Sequence, residues 1–266
     1  MLVRGRLVRS AGVTQVPAAL LACCLPSIAV AQLNDTGVVL FGDASSYELK
    51  REPKDHPGQD GRFGRDAAAA SGMLKKKGAG VKGFDFTKLD GEGKALPANA
   101  RKWDCVRDNV TGLTWEVKTA DGGLRDWQHH YTWYSPDAKV NGGFPGLESG
   151  GECKGVTQCN THAYMLAVNA SRLCGYSDWR LPERGELRSL VDYSKAGTYK
   201  PTIDEAFFPN TIAKWYWSAS VYSLQTEYAW GVSFFDGGDG NNVKRGQHDR
   251  FSHLRLVRGP ESKGRN

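Results

Sequence analysis

Four cysteines beyond the first 31 residues, Cys105, Cys153, Cys159 and Cys174, constrain this chain more than any other feature. An even number of cysteines in an exported chain reads as disulfides, and four of them allow three pairings. The expected pairing joins Cys153 to Cys159 across a short loop and ties Cys105, at the start of the main domain, to Cys174, just before the turn at Gly175. By loop-closure entropy the longer link contributes ~4 kcal/mol. Zinc is the rival use, but five residues separate Cys153 from Cys159 and no second close pair accompanies them.

Export itself is read from the N-terminus. Arg4, Arg6 and Arg9 precede an apolar run from Val16 to Val30 that closes with Ala29-Val-Ala31, the pattern of a signal peptide over residues 1–31. Pro17 and Pro26 interrupt the run, which falls short of the roughly 20 apolar residues that span a bilayer, so no transmembrane segment is expected. Leu20-Leu-Ala-Cys23 offers a lipobox, and with it an alternative tether through a lipid on Cys23. Either route gives a secreted, periplasmic or cell-surface protein. Removing residues 1–31 removes three arginines and no acids, so 35 basic residues become 32 against 29 acidic ones, or +3. So small a charge on an exported chain argues against nucleic acid as a partner.

Residues 32–100 are poor in large apolar side chains and rich in Gly, Asp and Lys, and read as an irregular extension. Ala67 to Ala70 is its one helical stretch. Lys75-Lys-Lys77 reads as a solvated loop, and Val81 to Leu89 as an edge strand that docks on the main domain. Residues 101–260 carry that domain, and 261–266 a tail. Cys105–Asp108 and Leu113–Val117 form a hairpin, with Leu113, Trp115 and Val117 facing the core. Asn160 or Thr161 caps a helix reaching about Leu173. Alternating runs at Trp215–Tyr222 and Tyr228–Phe235 form an antiparallel pair with one apolar face each, and Phe251–Val257 adds a last strand.

Between these elements lies Gly175-Tyr-Ser-Asp-Trp-Arg-Leu-Pro-Glu-Arg-Gly-Glu-Leu-Arg-Ser-Leu-Val-Asp192. It reads as a turn, then a helix that Pro182 opens, with Leu187, Leu190 and Val191 on its buried face. Together with Asp108–Trp115, Phe208-Pro-Asn-Thr211, Tyr216-Trp-Ser-Ala-Ser220 and Leu256-Val-Arg-Gly259, in this order, it resembles the bacterial Lcl C-terminal domain family. That family is named for the C-terminal domain of a collagen-like surface adhesin. The resemblance covers residues 101–260 and implies an α+β, C-type-lectin-like domain: two helices on short antiparallel sheets, long ordered loops and two disulfides. It implies no reaction. A trimer is implied by the resemblance alone, and the chain has no Gly-X-Y stalk.

Recognition is expected from two places. Trp127, Tyr131 and Trp133 stand in a long loop rich in aromatic residues, and Lys244, Arg245, Arg250 and Arg255 in a basic C-terminal segment. Rings and guanidinium groups on one face would hold acidic or sulfated polysaccharide. The alternatives are a structural or protein-interaction domain of the envelope, and an extracytoplasmic enzyme of the formylglycine-generating kind. No cofactor is expected; calcium is a candidate only at Asp236, Asp239 and Asn241, whose oxygens sit in a run of Gly, Asp and Asn read as a flexible loop. Histidines are scattered, and Asp178, Glu183 and Glu186 are explained by capping and by Arg180, so no catalysis is expected.

Overall fold

The computed structural model describes residues 34–246 and 252–259. The expected signal peptide, the lipobox Cys23, Arg250 and the expected tail lie outside them. The remainder is α+β, with two antiparallel sheets and both expected disulfides, Cys105–Cys174 and Cys153–Cys159.

The first sheet has the order β1-β2-β3-β7, where β1 is Phe86–Leu89, β2 Cys105–Asp108, β3 Thr114–Glu116 and β7 Val257–Arg258. β1 is the edge strand, and Phe84, Phe86 and Leu89 bury against the sheet it completes. The residues before it, although irregular, are stitched down by carboxylates as well as by the packing of Ala79 and Phe84. Asp66 at the start of helix α1 (Gly64–Ala70) accepts the Gly37 and Gly83 N–H groups at 2.6 and 2.7 Å, and Asn34 donates to Asp108 at 2.6 Å. β7 pairs with β3, so the C-terminal end of the domain returns beside its opening strands. The expected strand Phe251–Val257 is broken: Ser252 and His253 make single bridges to Tyr131 and Tyr216 before Val257 joins the sheet.

Helix α2 (Thr161–Ala170) starts where Asn160 accepts the Ala163 N–H at 2.8 Å, and buries Tyr164 and Val168. It ends three residues earlier than expected. Arg172 and Cys174 adopt left-handed φ of 52° and 53° as the chain turns Cys174 toward Cys105. Helix α3 (Arg184–Arg188) starts after Pro182, not at it. Glu183 has an extended backbone and a reciprocal capping box with Glu186, whose carboxylate accepts the Glu183 N–H at 2.8 Å.

The second sheet is β4 (Trp215–Val221), β5 (Tyr228–Ser233) and β6 (Asp239–Val243). Alternation predicts one apolar face for β4, but Tyr216 and Trp217 are both buried, in different clusters. The strand therefore passes between two cores. One gathers Trp115, Leu187, Leu190, Phe208, Tyr216 and Val232; the other gathers Tyr131, Trp133, Tyr164, Trp179 and Trp217 around the Cys105–Cys174 link. The Gly/Asp/Asn run is no open loop either. After a tight turn it becomes β6, with Gly240 opposite Gly231 and Asp239 opposite Val232. Trp215 crosses these glycines, and a side-chain carbon at Gly240 would come within 3.0 Å of its ring.

Candidate functional site

Most of the residues that the sequence offers for recognition serve the interior. Tyr131 and Trp133 are buried, with the Trp133 indole N–H donating to the Ser218 carbonyl at 2.9 Å. Trp127 is half-buried. Lys244 is fully buried: its ammonium donates to the Asn141 and Phe144 carbonyls at 2.7 and 2.8 Å and lies 4.4 Å from the Trp133 ring centre. Burial pushes its pKa down to about 8. Arg255, also fully buried, donates to the Glu116 carbonyl at 2.6 Å and to the Thr211 hydroxyl at 2.8 Å. Of the four basic residues, Arg245 is exposed and Arg250 lies outside the described residues. Lys244 and Arg255 therefore share no surface with Arg245, because a buried cation held by internal acceptors is an internal strut and is closed to ligands.

Two of the three residues of the calcium set are engaged by the protein itself. The Asp236 carboxylate accepts the Gly238 N–H at 3.0 Å, and Asp239 lies 3.5 Å from Arg184 and 3.8 Å from Arg188. Asn241 is exposed on β6. Among the described residues no three His, Cys, Asp or Glu side chains stand where they could hold one metal ion. The acids weighed for hydrolysis are engaged too. Glu186 accepts from both terminal Arg180 nitrogens at 2.7 and 2.8 Å, Glu183 accepts from Ser220 at 2.6 Å, and Asp178 pairs with Arg258 at 2.7 Å.

Rings and guanidinium groups do come together elsewhere, where α3 crosses the outer part of the second sheet. Tyr199, 86% exposed, meets Phe235, 43% exposed, with ring centres 6.2 Å apart. Tyr199 holds a left-handed φ of 59°, which costs on the order of 1–3 kcal/mol in a bulky residue. Two residues beyond Phe235, Gly237 lies against Tyr193, whose ring a side-chain carbon at that glycine would approach to 2.8 Å. The Tyr193 hydroxyl accepts from the Arg188 guanidinium at 3.3 and 3.4 Å, which raises the Arg188 pKa. Arg188 and Arg184 share Asp239, and Arg184 lies 4.2 Å over the Trp230 ring. Trp230 meets Tyr222 at 5.4 Å and Tyr222 meets Tyr228 at 6.4 Å, both edge-on.

Asp239 lies between the two half-exposed guanidiniums, and the exposed Lys200 beside Tyr199 is matched by the exposed Asp236 and Glu227 beside Phe235 and Tyr228, so the run alternates cations with carboxylates. Rings of this kind offer flat apolar faces, while guanidiniums donate paired hydrogen bonds to carboxylates or sulfates. Part of the signal was in the sequence. Arg184 and Arg188 share a helix face at i, i+4, and Tyr228 and Trp230 share a strand face at i, i+2. Their meeting depends on how α3 docks, which no local spacing encodes.

A family model described as the Lcl C-terminal domain matches residues 104–258, more than half of the 266-residue chain. No curated protein and no solved structure matches it. With the match running from the start of β2 to the end of β7, and the motifs around α3 within it, the chain belongs to the Lcl C-terminal domain family.

Proposed function

We propose that this protein is an adhesin-type binding domain acting outside the cytoplasm, and that it holds acidic or sulfated polysaccharide along the run from Tyr199 to Tyr228. The observation that carries this reading is the interleaving of Tyr199, Phe235, Tyr193, Trp230 and Tyr222 with Arg188 and Arg184 on one surface. Pyranose faces stack on the rings, and charged substituents pair with the guanidiniums. Two disulfides belong to an oxidising compartment, and among the described residues no helix is long and apolar enough to cross a membrane. Two short sheets, a return of the chain end beside its opening strands and a disulfide at the domain's start support a C-type-lectin-like arrangement. The protein acts as a binding module and not as an enzyme.

Retention on sulfated, carboxylated and neutral polysaccharide columns tests the proposal. Binding is expected to be salt-sensitive, because the contacts lie on the surface, and indifferent to chelator, because arginines already neutralise Asp239. The pair Tyr199→Ala and Phe235→Ala should reduce retention while leaving the melting curve unchanged. Equal retention on every column, or none on any, would favour the structural or protein-interaction role.

A further inference from the structure

A cleft of about 350 Å³ opens between α2, the Ser135–Val140 loop and the Arg180–Glu183 stretch that leads into α3. Its floor is apolar, with Trp133, Met165, Leu181 and Ala219, and Val140, 56% exposed, forms one lip. This volume lies near the lower end for small-molecule sites. The wall is held in place before any ligand arrives. Lys244 fastens the loop through the Asn141 and Phe144 carbonyls, the Ser135 N–H donates to the Pro145 carbonyl at 2.9 Å, and the Thr161 hydroxyl bridges the Tyr134 N–H and carbonyl at 2.9 and 2.8 Å.

The charge around this cleft is acidic. Arg180, which lines it, has both terminal nitrogens on the Glu186 carboxylate. Asp137 and Glu183 also line it, and the hydrogen bonds they accept from the Lys139 N–H and the Ser220 hydroxyl leave their charges unneutralised. An apolar chamber with two carboxylates, an internally paired arginine and the His162 imidazole set edge-on to Tyr134 favours a cation with an apolar body and disfavours the matching anion. We propose that this cleft is a second binding site, for an apolar amine: an aromatic or branched aliphatic group that fills the floor and carries an ammonium toward Asp137 and Glu183. The site is independent of the polysaccharide reading.

The probe is phenethylamine, with 3-phenylpropionate as its charge-reversed match. The readout is the methyl resonance of Met165 in full-length protein labelled at methionine, with Met73, which does not line the cleft, as internal control. Phenethylamine is expected to shift Met165 saturably at millimolar concentration and to leave Met73 in place, and 3-phenylpropionate to shift neither. Asp137→Asn should weaken the amine about two- to fivefold, the range of an exposed charge pair. Ala219→Leu, which fills the floor with an apolar group, should abolish the shift while the melting transition persists. No saturable shift with the amine, an anion that binds as tightly, or full binding in Ala219→Leu would each overturn the proposal.

Discussion

The charged residues least legible in the sequence are those with partners far along the chain. Charged side chains are almost never fully buried unless paired, so Arg255 and Lys244 read as surface. Arg255 in fact meets the Glu116 carbonyl 139 positions away. The Glu116 carboxylate accepts from the Leu256 N–H at 2.9 Å, from Lys118 at 3.0 Å and from the Tyr164 hydroxyl, joining β3, the chain before β7, and α2. Glu116→Ala would strand Lys118 in the interior and is expected to cost about 3–5 kcal/mol in urea unfolding. His253 gives a pH-dependent counterpart. Burial lowers its pKa to about 3, while Nδ1 lies 2.9 Å from the His129 carbonyl. The unfolded imidazole takes a proton near its ordinary value of about 6.5, and the folded one does so only near 3. The unfolded state thus binds more protons across that window. The contribution is complete above about 6.5 and is lost as pH falls toward 3, in total on the order of 5 kcal/mol. His253→Gln should be less stable at neutral pH yet lose less stability on acidification. Parallel urea curves for the two proteins at every pH would contradict this.

At the scale of elements, periodicity locates what local rules govern and fails where tertiary packing takes over. Leu187, Leu190 and Val191 are buried as expected, but α3 ends at Arg188 and holds only the first of them. The α2 cap and the hairpin around Asn109–Gly112 are visible in the sequence because capping and turn chemistry are properties of neighbouring residues. β6 is not, since Gly, Asp and Asn are depleted in strands, and only the crossing of Trp215 explains why Gly231 and Gly240 face each other. The first residue of α3 lies two positions beyond Pro182, because the reciprocal cap of Glu183 and Glu186 outweighs the preference of proline for a helix start. Glu183→Ala should remove one half of that capping box and the Ser220 contact, at about 1–2 kcal/mol in thermal or urea unfolding. It should also loosen Arg184 from Trp230, so weaker polysaccharide retention should accompany the loss of stability.

Across the whole molecule, the family match and the folded body have different limits. The match begins at residue 104, yet the first sheet begins with β1 at Phe86, and Phe84 and Phe86 lie in the same core as Trp115 and Val257. A fragment of residues 101–260 would expose the edge of β2 and the apolar surface that these phenylalanines cover. It should aggregate or unfold well below the temperature of the longer chain, by light scattering and circular dichroism. Cys105–Cys174 spans 69 residues and ties that sheet to the turn after α2, so its removal through Cys105→Ala with Cys174→Ala should cost about 2–5 kcal/mol. The cysteine count points to two disulfides in advance and leaves three pairings open; the fold brings Cys105 to Cys174. Residue patterns could not place the proposed recognition surface, which depends on how α3, residues 193–199 and the second sheet meet.

The central claim is that this surface binds acidic polysaccharide through Arg184, Arg188 and Trp230. The most direct test is retention on a sulfated polysaccharide column at about 0.15 M salt, comparing the unaltered chain with Arg184→Gln/Arg188→Gln and with Trp230→Ala. The account predicts retention by the unaltered chain, early elution of both variants and unchanged circular dichroism. Undiminished retention of both folded variants would contradict it.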